Sequence, residues 1–138
     1  MAVAGLLPYL VMLEPQGTDR AIVRVFGTAL VRRLGFDLTG EDLIAIYEEP
    51  RRTNVSRLIA TMLREKTVVV TFTEWMTPSG HSFETENLWL PLVDDSGRVN
   101  RIMISVREPV APPACVDPIG DGVSSGSLTV SPERYYRL

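Results

Sequence analysis

Three long runs rich in β-branched and aromatic residues follow one another between residues 67 and 108, with no helical pattern between them. The first is Thr67 to Thr77 (TVVVTFTEWMT), the second His81 to Leu92, and the third Val99 to Glu108. Pro78-Ser79-Gly80 and Asp94-Asp95-Ser96-Gly97 separate them, both clusters of turn-forming residues. Strands joined by connections this short can only pair antiparallel, because a parallel return needs a crossover of a dozen or more residues. In the third run Ile102, Ile104 and Val106 alternate with Arg101, Ser105 and Arg107, so the sheet has one buried face.

The residues before this sheet supply its remaining strands and its cover. Tyr9 to Glu14 and Ala21 to Phe26 are apolar runs flanking a Gln-Gly-Thr-Asp turn, and together predict a hairpin. Thr28 to Leu34 suits two helical turns, closed by Gly35 as a C′ cap. Thr39 suits the N-cap of a second short helix, with Asp42 three residues on and Glu48-Glu49-Pro50 as its end. From Thr53 to Glu65, Val55, Leu58, Ile59, Met62 and Leu63 form one apolar stripe at helical spacing. Two strands, grouped helices and three strands make an α+β fold: a five-stranded antiparallel sheet with short helices over one face.

The chain has 138 residues, 45% hydrophobic, enough for one core, and a formal charge of -3. That balance argues against nucleic acid as the main partner, since phosphate neutralisation needs a basic patch. The apolar opening lacks a basic leader region and is too short to span a membrane, so a cytoplasmic protein without membrane association is expected. Residues 1–108 are expected to form the domain, and 109–138, rich in Pro, Gly and Ser, a C-terminal arm or linker.

Phe26-Gly27-Thr28-Ala29-Leu30, then Leu34-Gly35, then Asp37-Leu38-Thr39-Gly40, resemble the PAS-domain family, specifically a bacterial group of stand-alone PAS-like proteins. Leu90-Pro91-Leu92 before an acidic-Gly turn and a closing apolar strand strengthens the resemblance, which covers about residues 6–108. It implies a sensory or regulatory module that binds a small apolar or aromatic ligand and signals through protein–protein contacts. Candidate pocket residues are Phe26, Leu30, Phe36, Tyr47, Leu58, Phe72 and Leu90. The alternative is a pure dimerisation or interaction module with a packed interior, since apolar residues alone do not separate pocket from core.

The alternation on the two longest strands places Val68, Val70, Phe72, Leu88, Leu90 and Leu92 on the core face by hydrophobicity. Trp75, Trp89 and Met103 then fall on the outer face as a candidate interface, for a homodimer or another signalling protein. Catalysis is not expected. His81 follows a turn, Glu84 and Glu86 suit the outer end of a strand, and no serine sits in a nucleophile motif. One cysteine and one histidine make no metal site. Haem is not expected, because the helix at 53–65 carries no histidine to ligate iron. Nor is covalent flavin, because Cys115 lies in the tail and no Asn-Cys-Arg motif exists.

Overall fold

The computed structural model describes residues 5–76, 82–108 and 136–137. Its elements are a 3₁₀ turn at Leu7–Tyr9, β1 (Leu10–Gln16), β2 (Arg20–Phe26), α1 (Thr28–Leu34), α2 (Arg51–Glu65), β3 (Val69–Met76), β4 (Ser82–Val93), β5 (Val99–Arg107) and β6 (Tyr136–Arg137). The five expected strands form one sheet in the order β2-β1-β5-β4-β3, every neighbouring pair antiparallel. The two-residue β6, not expected from the sequence, pairs with Val69 and Val70 at the β3 edge. The hairpin tip at 77–81 with His81, and the expected C-terminal arm apart from residues 136–137, with Cys115, lie outside the described residues. No helix among the described residues is long and apolar enough to cross a membrane.

α2 lays its apolar stripe over one face of the sheet, with Val55, Leu58, Ile59 and Met62 all buried. They join one core cluster with Val11 and Leu13 of β1 and Ile102 and Ile104 of β5. These residues set the phase of the whole sheet. Ile104 pairs with Trp89, and Trp89 with Val69, so the odd-numbered residues of β3 and β4 face the helices. The faces expected on these two strands are therefore inverted. Val69, Thr71, Thr73, Thr85, Asn87 and Trp89 are buried on the inner face, whereas Val70, Phe72, Leu88 and Leu90 belong to the outer one. A register shift between Leu92 and Val93, where β4 meets β5, is the reason that alternation on β5 does not carry across the Asp94–Gly97 turn by simple counting.

The second short helix does not form. Residues 40–43 run along the free edge of β2 instead. Val23 N–H donates to the Glu41 carbonyl at 2.9 Å, Gly40 N–H to the Val23 carbonyl at 2.7 Å and Leu43 N–H to the Ala21 carbonyl at 2.8 Å. Asp42 Oδ1 accepts from Ala21 N–H at 3.0 Å and from Ile44 N–H at 3.1 Å, so it pins the strap to the sheet rather than closing a capping box. Pairing with an exposed strand edge satisfies the same backbone groups that a helix would. Leu38, Leu43, Ile44 and Tyr47 are thereby turned into the core.

Of the glycines that punctuate residues 25–40, Gly35 and Gly40 hold φ of 82° and 89°, left-handed values that favour glycine. Gly27 serves a different need. Its φ is -60°, open to any residue, but a Cβ there would lie 2.1 Å from the Pro8 carbonyl oxygen and 2.4 Å from its carbon. The 3₁₀ turn thus closes on the start of α1 across a gap only glycine permits. Gly27→Ala should cost roughly 1–3 kcal/mol or more, since backbone atoms must move apart. Gly40→Ala, with open space around it, should cost about 1 kcal/mol from its backbone conformation. Urea denaturation of both variants checks this; an unchanged midpoint for Gly27→Ala would contradict the close approach.

Candidate functional site

The inner sheet face and the helices do not meet everywhere. Between them lies a cavity of about 760 Å³. Phe26 at the end of β2, Leu30 and Leu34 of α1, Leu43 and Tyr47 of the strap, and Val55 of α2 make its apolar walls. Its floor is β3, β4 and β5, and that floor is polar at its centre. Thr71, Thr73, Thr85 and Asn87 line the cavity, exposed by only 2%, 3%, 4% and 6%.

These groups hold one another in a network across β3 and β4. The Asn87 amide nitrogen donates to Thr71 Oγ1 at 3.2 Å and to Thr73 Oγ1 at 3.0 Å. The Trp89 indole N–H donates to Thr71 Oγ1 at 2.9 Å, and the Trp75 indole N–H to Thr85 Oγ1 at 2.9 Å. Arg51, the first residue of α2, reaches Thr73 Oγ1 from above at 3.4 Å, its guanidinium 4.6 Å from the centre of the Tyr47 ring. A hydroxyl offers two lone pairs and one hydrogen. Thr71 and Thr73 each accept two hydrogen bonds, so both lone pairs are filled. What each has left is its hydrogen, which donates to no atom of the described residues. Asn87 spends both amide hydrogens and keeps its carbonyl oxygen as an acceptor.

One inward-facing pair further along the same two strands, Trp75 stacks on Phe83 with ring centres 6.3 Å apart, and the Arg33 guanidinium lies 4.2 Å over the Phe83 ring. Arg33 also pairs with Glu108 at the end of β5. Aromatic walls, two arginines and a buried hydrogen-bonding floor make a site that can orient a small molecule.

The profile of one protein family, described as PAS domain, matches residues 1–106. The chain belongs to the PAS domain family. Solved structures of similar fold agree. One is the dark structure of the blue-light photoreceptor Aureochrome1 LOV, with TM-score 0.57 and 11% identity over 78% of this chain and 80% of that one. Another is the PAS domain of a protein from Colwellia psychrerythraea, with TM-score 0.54 and 8% identity over 77% of this chain and 92% of that one. A third is an RNA-binding light-oxygen-voltage receptor, with TM-score 0.55 and 15% identity over 72% of this chain. This chain spans only 28% of that receptor's length. At these identities the likeness carries the fold alone. No curated protein matches the chain.

Within this PAS fold the expected pocket residues separate into groups. Phe26, Leu30 and Tyr47 line the cavity. Phe36 stacks on Phe26, centres 6.5 Å apart, from outside the lining, and Leu58 is buried in the core beneath α2. Phe72 and Leu90 lie on the opposite sheet face and do not reach the cavity. Of the expected interface residues, only Met103 is on the outer face; Trp75 and Trp89 line the cavity. The polar floor itself, Thr71, Thr73, Thr85 and Asn87, and Arg51 above it, were not expected at the pocket from the sequence. Their signal is the phase of Ile102 and Ile104, which, carried across the paired strands, turns the threonines and Asn87 inward.

Asn87→Ala should destabilise the domain by about 1–3 kcal/mol, because it removes two buried hydrogen bonds between β3 and β4. Urea denaturation measures it. A change within experimental error of zero would mean that Asn87 does not tie the two strands.

Proposed function

We propose that this PAS domain is a non-catalytic sensory module. It holds a small ligand non-covalently in the 760 Å³ cavity and passes the bound state on through the outer face of its sheet. The observation that carries the reading is the buried polar floor. A domain that only needed to pack its interior would gain from apolar side chains at Thr71, Thr73 and Asn87. Leaving hydrogen-bonding capacity unused in a dry core costs about 1–3 kcal/mol per group. A ligand with a polar head and an apolar body meets both the floor and the walls, and the volume is that of ordinary small-molecule sites. The charged groups at the cavity support binding over catalysis. Arginine does not release its proton near neutral pH, and the carboxylate among the lining residues, Glu108, is engaged by Arg33.

The outer face supports the output. Val25, Met12, Met103 and Leu90 lie side by side across β2, β1, β5 and β4, an apolar row on the side away from the helices. Val25 is 48% exposed, and Leu92 at the end of the patch 37%. Burying such side chains against a second copy or another signalling protein gains roughly 1.5–3 kcal/mol for each one fully covered. The floor and this row belong to the same strands, so a ligand that shifts β4 from inside also shifts the contact surface outside.

A neutral polarity-sensitive dye, N-phenyl-1-naphthylamine, tests the cavity. Saturable binding to the wild-type chain with enhanced dye fluorescence is expected. Ala29 lines the cavity from α1, and Ala29→Phe should fill part of it and weaken the dye by roughly tenfold or more without lowering the melting temperature. Absence of saturable binding, or equal binding by a folded Ala29→Phe variant, would leave the pure interaction module as the better reading.

A further inference from the structure

Among the described residues two arginines contact side chains of the cavity lining, Arg33 over Phe83 and Arg51 at Thr73, beside one lining carboxylate, Glu108. The chain as a whole has a formal charge of -3, so positive charge gathers at this site against the overall balance. Beside β5, Glu108 answers Arg33, while Arg107 pairs with Glu86 on the outer face of the sheet at 2.5 Å. Over β3 the guanidinium of Arg51 reaches Thr73 and lies 4.6 Å from the centre of the Tyr47 ring.

A head group resting on the β3 side of the floor meets mainly donors. The hydroxyl hydrogens of Thr71 and Thr73 are unspent, and the guanidinium above them is a charged fork whose geometry matches a carboxylate. The acceptors on this part of the floor are Asn87 Oδ1 and the remaining lone pair of Thr85 Oγ1. An ammonium group would be repelled by the arginine and would leave the hydroxyl hydrogens unpaired. A neutral hydroxyl would forgo the charge-assisted bond. Behind the head group the walls are aliphatic and aromatic, with Leu30, Leu43, Val55 and Ile104 around a cavity large enough for an extended apolar body.

We propose that the ligand is an amphipathic carboxylate. Its apolar body lies among the α1, strap and α2 side chains, and its carboxylate sits on Arg51 and the hydroxyls of Thr71 and Thr73. This rests on the cavity being a ligand site and specifies the chemistry that site selects.

Displacement of bound N-phenyl-1-naphthylamine from the full chain tests it with three probes of equal chain length: decanoate, 1-decanol and decyltrimethylammonium, each below its micellar concentration. Both tryptophans of the chain, Trp75 and Trp89, line the cavity, so their fluorescence gives a second readout. Decanoate should compete at a concentration roughly tenfold or more below that of decanol, the scale of one charge-assisted hydrogen bond, and the cation should not compete. Arg51→Met keeps the apolar stem and should bring decanoate to the level of decanol while decanol is unchanged; Arg51→Lys should retain most of the preference. If decanol or the cation competes as well as decanoate while the dye binds, the ligand cavity stands and the anionic head is overturned. If the dye does not bind the wild type, both fall. If Arg51→Met binds dye and keeps the full decanoate preference, the placement on Arg51 is wrong. Should that variant not fold, the order of the three probes on the wild type still decides.

Discussion

The hydrogen bonds that Asn87 and Trp89 send across to Thr71 and Thr73 are the constraint on which the rest of this PAS domain depends. They make it tolerable to bury the polar side of β3 and β4. Without them, turning those threonines inward would leave several buried polar groups unpaired, each at a cost of about 1–3 kcal/mol. With them, the inner face becomes a hydrogen-bonded floor with donor and acceptor capacity left over. The helices cannot close on such a floor as they close on Ile102, and a cavity remains between.

The cover is built to span that gap. The strap at 40–43 extends the sheet edge at β2 and then lifts Leu43, Ile44 and Tyr47 over the floor. Tyr47 supports Arg51, and Arg51 returns to Thr73, so the walls and the floor meet at one charged point. The close approach at Gly27 holds the N-terminal turn against α1 and fixes the opposite wall. Together these contacts, most of them between residues far apart in sequence, define where a ligand's polar and apolar ends would lie.

Much of the fold was legible in the sequence because its signals are local. Turn residues mark the hairpins, β-branched runs mark the strands, and the stripe from Val55 to Met62 marks α2. Two features were not legible, for the same physical reason: both are decided by a neighbour distant in sequence. Thr39 and Asp42 carry the marks of a helix start, but the free edge of β2 offers their backbone a competing partner. Val70, Phe72, Leu88 and Leu90 look like core by hydrophobicity, yet pairing of Trp89 with Ile104 assigns the core to the opposite set. Of the site, the apolar walls at Phe26, Leu30 and Tyr47 could be read from the family resemblance. The polar floor could not, since threonine and asparagine on a strand look solvated until their cross-strand partners are known.

The inward direction of Trp89 is the point on which this account turns, and nuclear Overhauser contacts measure it most directly. Methyl-labelled protein should show cross-peaks between the Trp89 indole ring and methyl groups of α2, with which it shares the core cluster, and none between Leu90 and α2. Cross-peaks from Leu90 to those methyl groups, with none from Trp89, would place the threonines and Asn87 on the outer face and contradict the floor, the cavity and the ligand chemistry together.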